Sequence, residues 1–289
     1  MEHTEPQTDQ ERRVRPFGAT HVIDPTTDHT HTFVMLHGRG STGEEFAGEL
    51  FESTLSDGSS LFQRFSGCRW VFPSSQELWS TAFQEDMPAW FEAHSLTDIT
   101  ARQELQMNGI RDSVDHIVGI ISEELKRLHG DAQRLALGGI SQGGAIALWT
   151  LLCQRNSTVR PGTVVVTNTW LPFAATIERL FAGQQDDGTA LEAECESFVG
   201  NLMAIQIDPD IAAADRDPRT LGAVFVGHGT DDAYVDVELG RQATHVLSQA
   251  GLSVEWKEYS GAEEEGHWFK APEEMDDIFG FLVGAGWSG

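Results

Sequence analysis

The sequence predicts an α/β fold with a mostly parallel central sheet and helices on both faces. Three observations carry this prediction. Nearly continuous apolar runs such as Thr32-Phe33-Val34-Met35-Leu36 and Gly162-Thr163-Val164-Val165-Val166-Thr167 read as inner strands, buried on both sides. Between such runs lie segments of helical period, the clearest with Ile110, Val114, Ile117, Val118, Ile121, Leu125 and Leu128 three or four residues apart. Finally, the short apolar run Arg134-Leu135-Ala136-Leu137-Gly138 leads through Gly139-Ile140-Ser141-Gln142-Gly143 into Gly144-Ala145-Ile146-Ala147-Leu148-Trp149, a buried helix. Strands alternating with helices pair in parallel, and reactive groups then gather at the carboxyl ends of the strands.

Residues 1–18 are polar, with charges of both signs and two prolines, and are expected to be a disordered arm. The domain is expected over 19–289. It opens with a strand over 20–23, a turn at Asp24-Pro25-Thr26-Thr27-Asp28 and the strand over 32–36, together a hairpin. Residues 68–73 form a further strand ended by Pro73. The long helix stops at Gly130. Buried strands follow over 162–167 and 222–226, then a strand over 252–259 whose alternation places it near an edge, and a last helix over 272–283. The stretch 184–219 is rich in Asp, Glu, Gly and Ala. It reads as a solvated insertion loop with one short helix over 191–198, the other reading being a lid beside the pocket.

At 289 residues and 40% hydrophobic content the chain can bury a sizeable core. Its formal charge of −26 repels nucleic acid and anionic membrane surfaces and disfavours polyanionic substrates, leaving cationic or neutral ones. Cys68, Cys153 and Cys195 are an odd, widely spaced set, which argues against a disulfide framework and for a reducing compartment. No apolar leader opens the chain, and no run approaches the ~20 residues of a membrane span. A soluble cytoplasmic protein without a stable membrane anchor is expected. Asp28-His29-Thr30-His31 is too sparse and turn-like for a metal site.

A serine flanked two residues away on each side by glycine, between a strand and a helix, is the nucleophile elbow of α/β-hydrolases. A serine hydroxyl needs a neighbouring base, and the base an orienting acid, in chain order Ser, acid, His. Downstream of Ser141 stand His228, His245 and His267. His245 falls in a predicted helix, and His228 ends a strand beside the acid candidates. His267 lies between the last strand and the last helix, where the base belongs. The acid is expected at Asp231 or Asp232, and spacing does not choose between them. The backbone N–H of Gln142, following the nucleophile, supplies half of an oxyanion hole. Arg39, in Leu36-His37-Gly38-Arg39-Gly40 after an inner strand, supplies the other half. Trp79, Trp90, Phe91, Trp170 and Leu171 are candidate walls of an apolar acyl groove.

Six segments together resemble the acyl-protein thioesterase / lysophospholipase-type carboxylesterase family of α/β-hydrolases. They are L-H-G-R-G-S-T-G-E-E-F (36–46), P-A-W-F-E (88–92), G-G-I-S-Q-G-G-A (138–145), T-W-L-P-F (169–173), H-G-T-D-D (228–232) and G-H-W (266–268). The resemblance runs from about residue 32 to the C-terminus. It implies Ser141 as nucleophile, His267 as base and Asp232, the second aspartate of its pair, as acid. It also implies a cofactor-free cytosolic enzyme, an acyl channel near residues 79–91, and acyl ester or thioester substrates. Those substrates include S-acylated proteins, lysophospholipids and short-chain aryl esters, and a homodimer is compatible with the family. The chain departs from the pattern in the long acidic stretch between Phe173 and Val224, in Asp236 where the family often has proline, and in its N-terminal arm. The rival functions are a carboxylesterase for small soluble or secondary-metabolite esters and, in another class, a non-hydrolytic ligand receptor on the same fold.

Overall fold

Largely apolar runs place β2 (His31–Leu36), β6 (Leu135–Ile140) and β7 (Thr163–Thr167) side by side at the centre of a seven-stranded sheet, with every residue of the three buried. The structure, a computed structural model, describes residues 15–95, 98–154, 157–183, 189–204 and 222–288. With β1 (His21–Ile23), β3 (Cys68–Phe72), β8 (Ala223–Gly229) and β9 (Ser253–Tyr259) added, the strand order is β1-β3-β2-β6-β7-β8-β9. All neighbours are parallel except β1 with β3. The hairpin expected at the start is therefore corrected. β1 pairs with β3, register His21 to Phe72, and the intervening turn carries the chain past β3 to β2 instead of folding back onto it.

Two apolar layers cover the sheet. On one face α1 (Gly43–Glu52), the single turn α2 (Leu61–Arg64) and α8 (Glu273–Gly284) bury Phe46, Leu50, Leu61, Met275, Ile278 and Leu282. On the other, α3 (Gln106–Arg127) lays down the stripe Ile110, Val114, Ile117, Ile121 and Leu125, each fully or almost fully buried. Each such side chain contributes roughly 1.5–3 kcal/mol of burial. Gly130, at φ +81°, ends this helix by donating its N–H back to the Leu125 carbonyl at 2.8 Å. The same face carries α4 (Ser141–Gln154), α5 (Ala174–Phe181) and α7 (Val237–Gln249).

The acidic stretch is not simply a solvated loop. Its described part is α6 (Ala190–Ala204), longer than the short helix expected, which packs Cys195, Phe198, Val199, Leu202 and Met203 into the core. Residues 184–188 and 205–219 of the expected insertion lie outside the described residues. Residues 1–14 of the expected arm also lie outside them. Residues 15–18 are held against the body, because Phe17 stacks on the His116 ring at 3.9 Å and the Gly18 N–H donates to Ser75 O at 3.0 Å. A small antiparallel hairpin, β4 (Gln76–Ser80) with β5 (Glu85–Ala89), stands apart from the main sheet. No helix among the described residues is long and apolar enough to cross a membrane.

Strand order reverses between β2 and β6: the chain runs from β2 outward to β3, then returns past β2 to β6. The segments leaving these two strands diverge to opposite faces and open a crevice at their carboxyl ends.

Candidate active site

Ser141 stands at that crevice as the first residue of α4, where the chain turns out of β6. Its φ of 55° lies in the left-handed region, a strained position for a residue bearing a Cβ. The turn closes because two neighbours have no side chain. A Cβ on Gly139 would stand 2.7 Å from the Leu36 carbonyl oxygen, and one on Gly143 only 2.2 Å from it. The glycine spacing is thus a packing requirement between α4, β6 and β2. Among the described residues the Ser141 hydroxyl has no hydrogen-bond partner, and it opens into a cavity of about 620 Å³, also lined by Gly38, Arg39, Gln142, Trp170 and His267.

His267 reaches the cavity from the turn after β9. Its Nδ1 is 2.7 Å from Asp232 Oδ2, and the Asp232 carboxylate is completely buried. The other oxygen, Oδ1, accepts the backbone N–H groups of Tyr234 (2.8 Å) and Val235 (2.9 Å). Acceptance on both oxygens fixes the carboxylate plane. The proton between imidazole and carboxylate therefore sits on Nδ1, which leaves the Nε2 lone pair as the ring's base. No hydrogen bond joins Ser141 to His267 in this structure; such contacts commonly tighten only once substrate is bound.

The geometry separates the two aspartates. Asp231 Oδ2 accepts the Gly261 N–H at 2.8 Å and braces a loop, without contact to His267. His228 lies behind the acid, fully buried, with Nε2 2.9 Å from Val235 O and 3.6 Å from Asp232 Oδ2. Burial lowers its pKa and keeps it neutral, a backing for Asp232 and not a base. His245 is exposed on α7, near Glu178.

The Arg39 loop is tied down at several points. The Ser75 N–H donates to His37 Nε2 (3.0 Å), so the His37 proton lies on Nδ1 and is donated to the Gly38 carbonyl (2.6 Å). Burial pushes the His37 pKa down to about 4, which keeps this arrangement neutral. Trp90 Nε1–H donates to His37 O and the Gly40 N–H to Pro88 O, each at 2.8 Å. Gln142 fixes the far side: its side chain accepts the Trp90 N–H at 3.2 Å and donates to Phe91 O at 3.1 Å. Gln142 occupies the first turn of α4, where helix geometry leaves N–H groups without an internal carbonyl.

Of the expected groove residues, Trp170 lines the cavity. The other four are corrected. Trp90, Phe91 and Leu171 are core, at most 1% exposed; the Trp90 indole is committed to the His37 carbonyl and Phe91 packs edge-on against Trp170 at 5.9 Å. Trp79 faces outward on β4, beside a separate hollow lined by Arg15 and Glu92. Phe46, Tyr234 and Trp268 line the cavity instead, and Tyr234 and Trp268 had a usable signal in their places next to Asp232 and His267.

Two further buried groups tie the His267 loop to its surroundings. Asn168, at φ 47°, accepts the Gly229 N–H (2.8 Å) with its amide oxygen and donates to Trp268 O (3.0 Å). Glu274 accepts the Thr167 hydroxyl (2.6 Å) and the Lys270 N–H (2.8 Å). Burial pushes its pKa up to about 7. A carboxyl raised in the folded state stabilises fully below its unfolded value and loses that contribution as pH rises through the folded one. Glu274→Gln is therefore expected to gain in Tm relative to the parent as pH climbs from about 4.5 to about 7. A difference constant with pH across that window would refute the assignment.

Comparison with known proteins gives the family. A sequence model of the phospholipase/carboxylesterase family matches residues 18–186. Acyl-protein thioesterase 1 of Gibberella zeae is 26% identical over 266 residues, covering 90% of this chain and 93% of the relative. The crystal structure of Zea mays acyl-protein thioesterase 2 superposes with a TM-score of 0.65 at 24% identity, covering 93% of this chain and 99% of that one. Arabidopsis thaliana SOBER1 superposes with a TM-score of 0.62 at 21% identity, covering 89% of this chain and 99% of that one. Its sheet topology, its serine turn and the match to more than half its length agree: this chain belongs to the phospholipase/carboxylesterase family of α/β-hydrolases.

Proposed function

We propose that the protein is a serine hydrolase that cleaves carboxylic esters or thioesters through an acyl-enzyme. The observation that carries this is the buried Asp232–His267 pair, 2.7 Å apart, at the rim of the cavity into which Ser141 opens. Ser141 Oγ attacks the acyl carbonyl carbon while His267 Nε2 takes its proton. The backbone N–H groups of Arg39 and Gln142 receive the developing oxyanion, and Asp232 stabilises the imidazolium. The tetrahedral species then collapses, the alcohol or thiol leaves with the proton from Nε2, and Ser141 carries the acyl group. Water, deprotonated by the same imidazole, attacks the acyl-serine and releases the acid.

Relatives named acyl-protein thioesterase support S-acylated proteins as substrates. Three unpaired, buried thiols, Cys68, Cys153 and Cys195, support a cytoplasmic setting. One observation favours small soluble esters instead. Of the aromatic residues expected to line an acyl groove, Trp90 and Phe91 are packed in the core, and carboxylates share the cavity wall. Initial rates on an acyl series from acetyl to palmitoyl, as esters and as thioesters, decide between them. A rise with chain length on thioesters supports the first, and a ceiling at short chains the second. A folded protein that hydrolyses no member of the series would refute both.

A further inference from the structure

A group of carboxylates stands around the candidate nucleophile. Glu45, Glu49, Glu264 and Glu265 line the cavity holding Ser141, and Glu49 and Glu264 continue into an adjoining cavity of about 480 Å³ beside Glu52 and Glu263. Glu45 is occupied in capping α1, where its carboxylate accepts the Thr42 N–H at 3.1 Å. Among the described residues, the side chains of Glu49, Glu264 and Glu265 have no ion pair and no hydrogen bond. Two cations stand at the walls, Arg39 in this cavity and Lys270 in the adjoining one, and neither forms an ion pair with these carboxylates. Arg39 donates to Ala93 O and lies over the Phe83 ring, and Lys270 Nζ donates to Gly261 O at 2.9 Å. Partial burial, then Glu264, Glu45 and Glu52, raise the Glu49 pKa, and no cation opposes them. Like charges crowded without an ion-pair partner disfavour the folded state. A cationic ligand would relieve that repulsion.

The second observation is where this wall stands relative to the reaction. The Ser141 hydroxyl, on a residue only 7% exposed and without a partner among the described residues, opens into the same cavity, so a substrate carbonyl has to enter here. The imidazole that accepts the serine proton hands it to the departing group, so the leaving group lies on the His267 side. Glu264 and Glu265 precede His267 on one turn, Trp268 follows it, and the Tyr234 ring is 5.3 Å from the imidazole. Carboxylates interleaved with aromatic faces are the chemistry that holds an ammonium or guanidinium group.

Resting on the hydrolase reading above, we propose that the site selects esters or thioesters whose leaving group carries a positive charge close to the reacting bond. The charge is a small ammonium or a lysine or arginine flanking an acylated residue, and both meet the same carboxylates.

The test compares thioesters of one acyl chain on three thiols: thiocholine, its uncharged isostere 3,3-dimethylbutanethiol, and 3-mercaptopropionate. Each rate is divided by that of hydroxide-catalysed hydrolysis, which removes intrinsic leaving-group reactivity. A second arm uses S-acylated peptides with lysine or alanine beside the acylated cysteine. At low ionic strength kcat/KM is expected to favour the cation over its neutral isostere by about tenfold or more in at least one arm, the anion being slowest. That ratio is expected to shrink as salt is added and to approach one in the Glu49→Gln/Glu264→Gln/Glu265→Gln variant. Preference confined to one arm supports the proposal and identifies the source of the charge. Equal rates in both arms, or a preference that neither salt nor the triple variant reduces, overturns it while leaving the hydrolase reading intact. Absence of Ser141-dependent hydrolysis throughout overturns the hydrolase reading and this inference with it.

Discussion

Ser141→Ala is expected to abolish turnover of an aryl ester and to abolish covalent labelling by a fluorophosphonate, a fall on the order of 10⁶ in kcat if nucleophile loss here resembles other serine hydrolases. The fold should be unaffected. Alanine keeps the Cβ that already occupies φ 55°, so it adds no backbone strain, and the hydroxyl it removes has no hydrogen-bond partner among the described residues. Unchanged Tm with no labelling is therefore the expected pair of results. Labelling that persists in the variant would transfer the nucleophile to another residue and end the mechanism proposed above.

Asp232→Asn is expected to lower kcat by about 10⁴, as in other triads where the acid becomes an amide. The local hydrogen bonds give the reason. The Tyr234 and Val235 N–H groups require an acceptor at the position of Oδ1, so an asparagine must point its oxygen there and its NH₂ at His267 Nδ1. The imidazole then has to accept at Nδ1 and carry its proton on Nε2, the wrong tautomer for a base. Asp231→Asn should change kcat less than tenfold, because an amide oxygen still accepts the Gly261 N–H. Steady-state rates of the two variants on one ester decide the matter, and the reverse order would move the acid to Asp231.

How much was legible in the sequence follows from how local each signal is. The serine turn, the long α3 stripe and the inner strands are set by neighbours within a few residues, and each falls where periodicity and glycine spacing place it. His267 and Asp232 also meet as expected, since chain order along a parallel sheet dictates which strand ends lie side by side. Long-range choices were hidden. Nothing in residues 20–36 shows that β1 prefers the edge beyond β3 to its neighbour in sequence, because that choice depends on which edge the finished sheet leaves open. Composition also misled at α6, where acidic residues on the outer face obscured the five apolar positions that enter the core. The aromatic residues were hardest. Trp90 and Trp170 have the same composition signal, yet one indole is satisfied by a buried carbonyl and the other fronts the cavity.

The bonds linking Trp90 and Phe91 to both His37 and Gln142 make the segment after β5 a shared fastener for the two segments proposed to hold the oxyanion. Loosening it would misalign the two N–H donors together, while leaving untouched the surfaces a ligand meets on arrival. A family member that keeps its nucleophile and base but varies at 88–91 would thus still capture its ligand and turn it over slowly, which lets evolution adjust speed separately from choice of substrate.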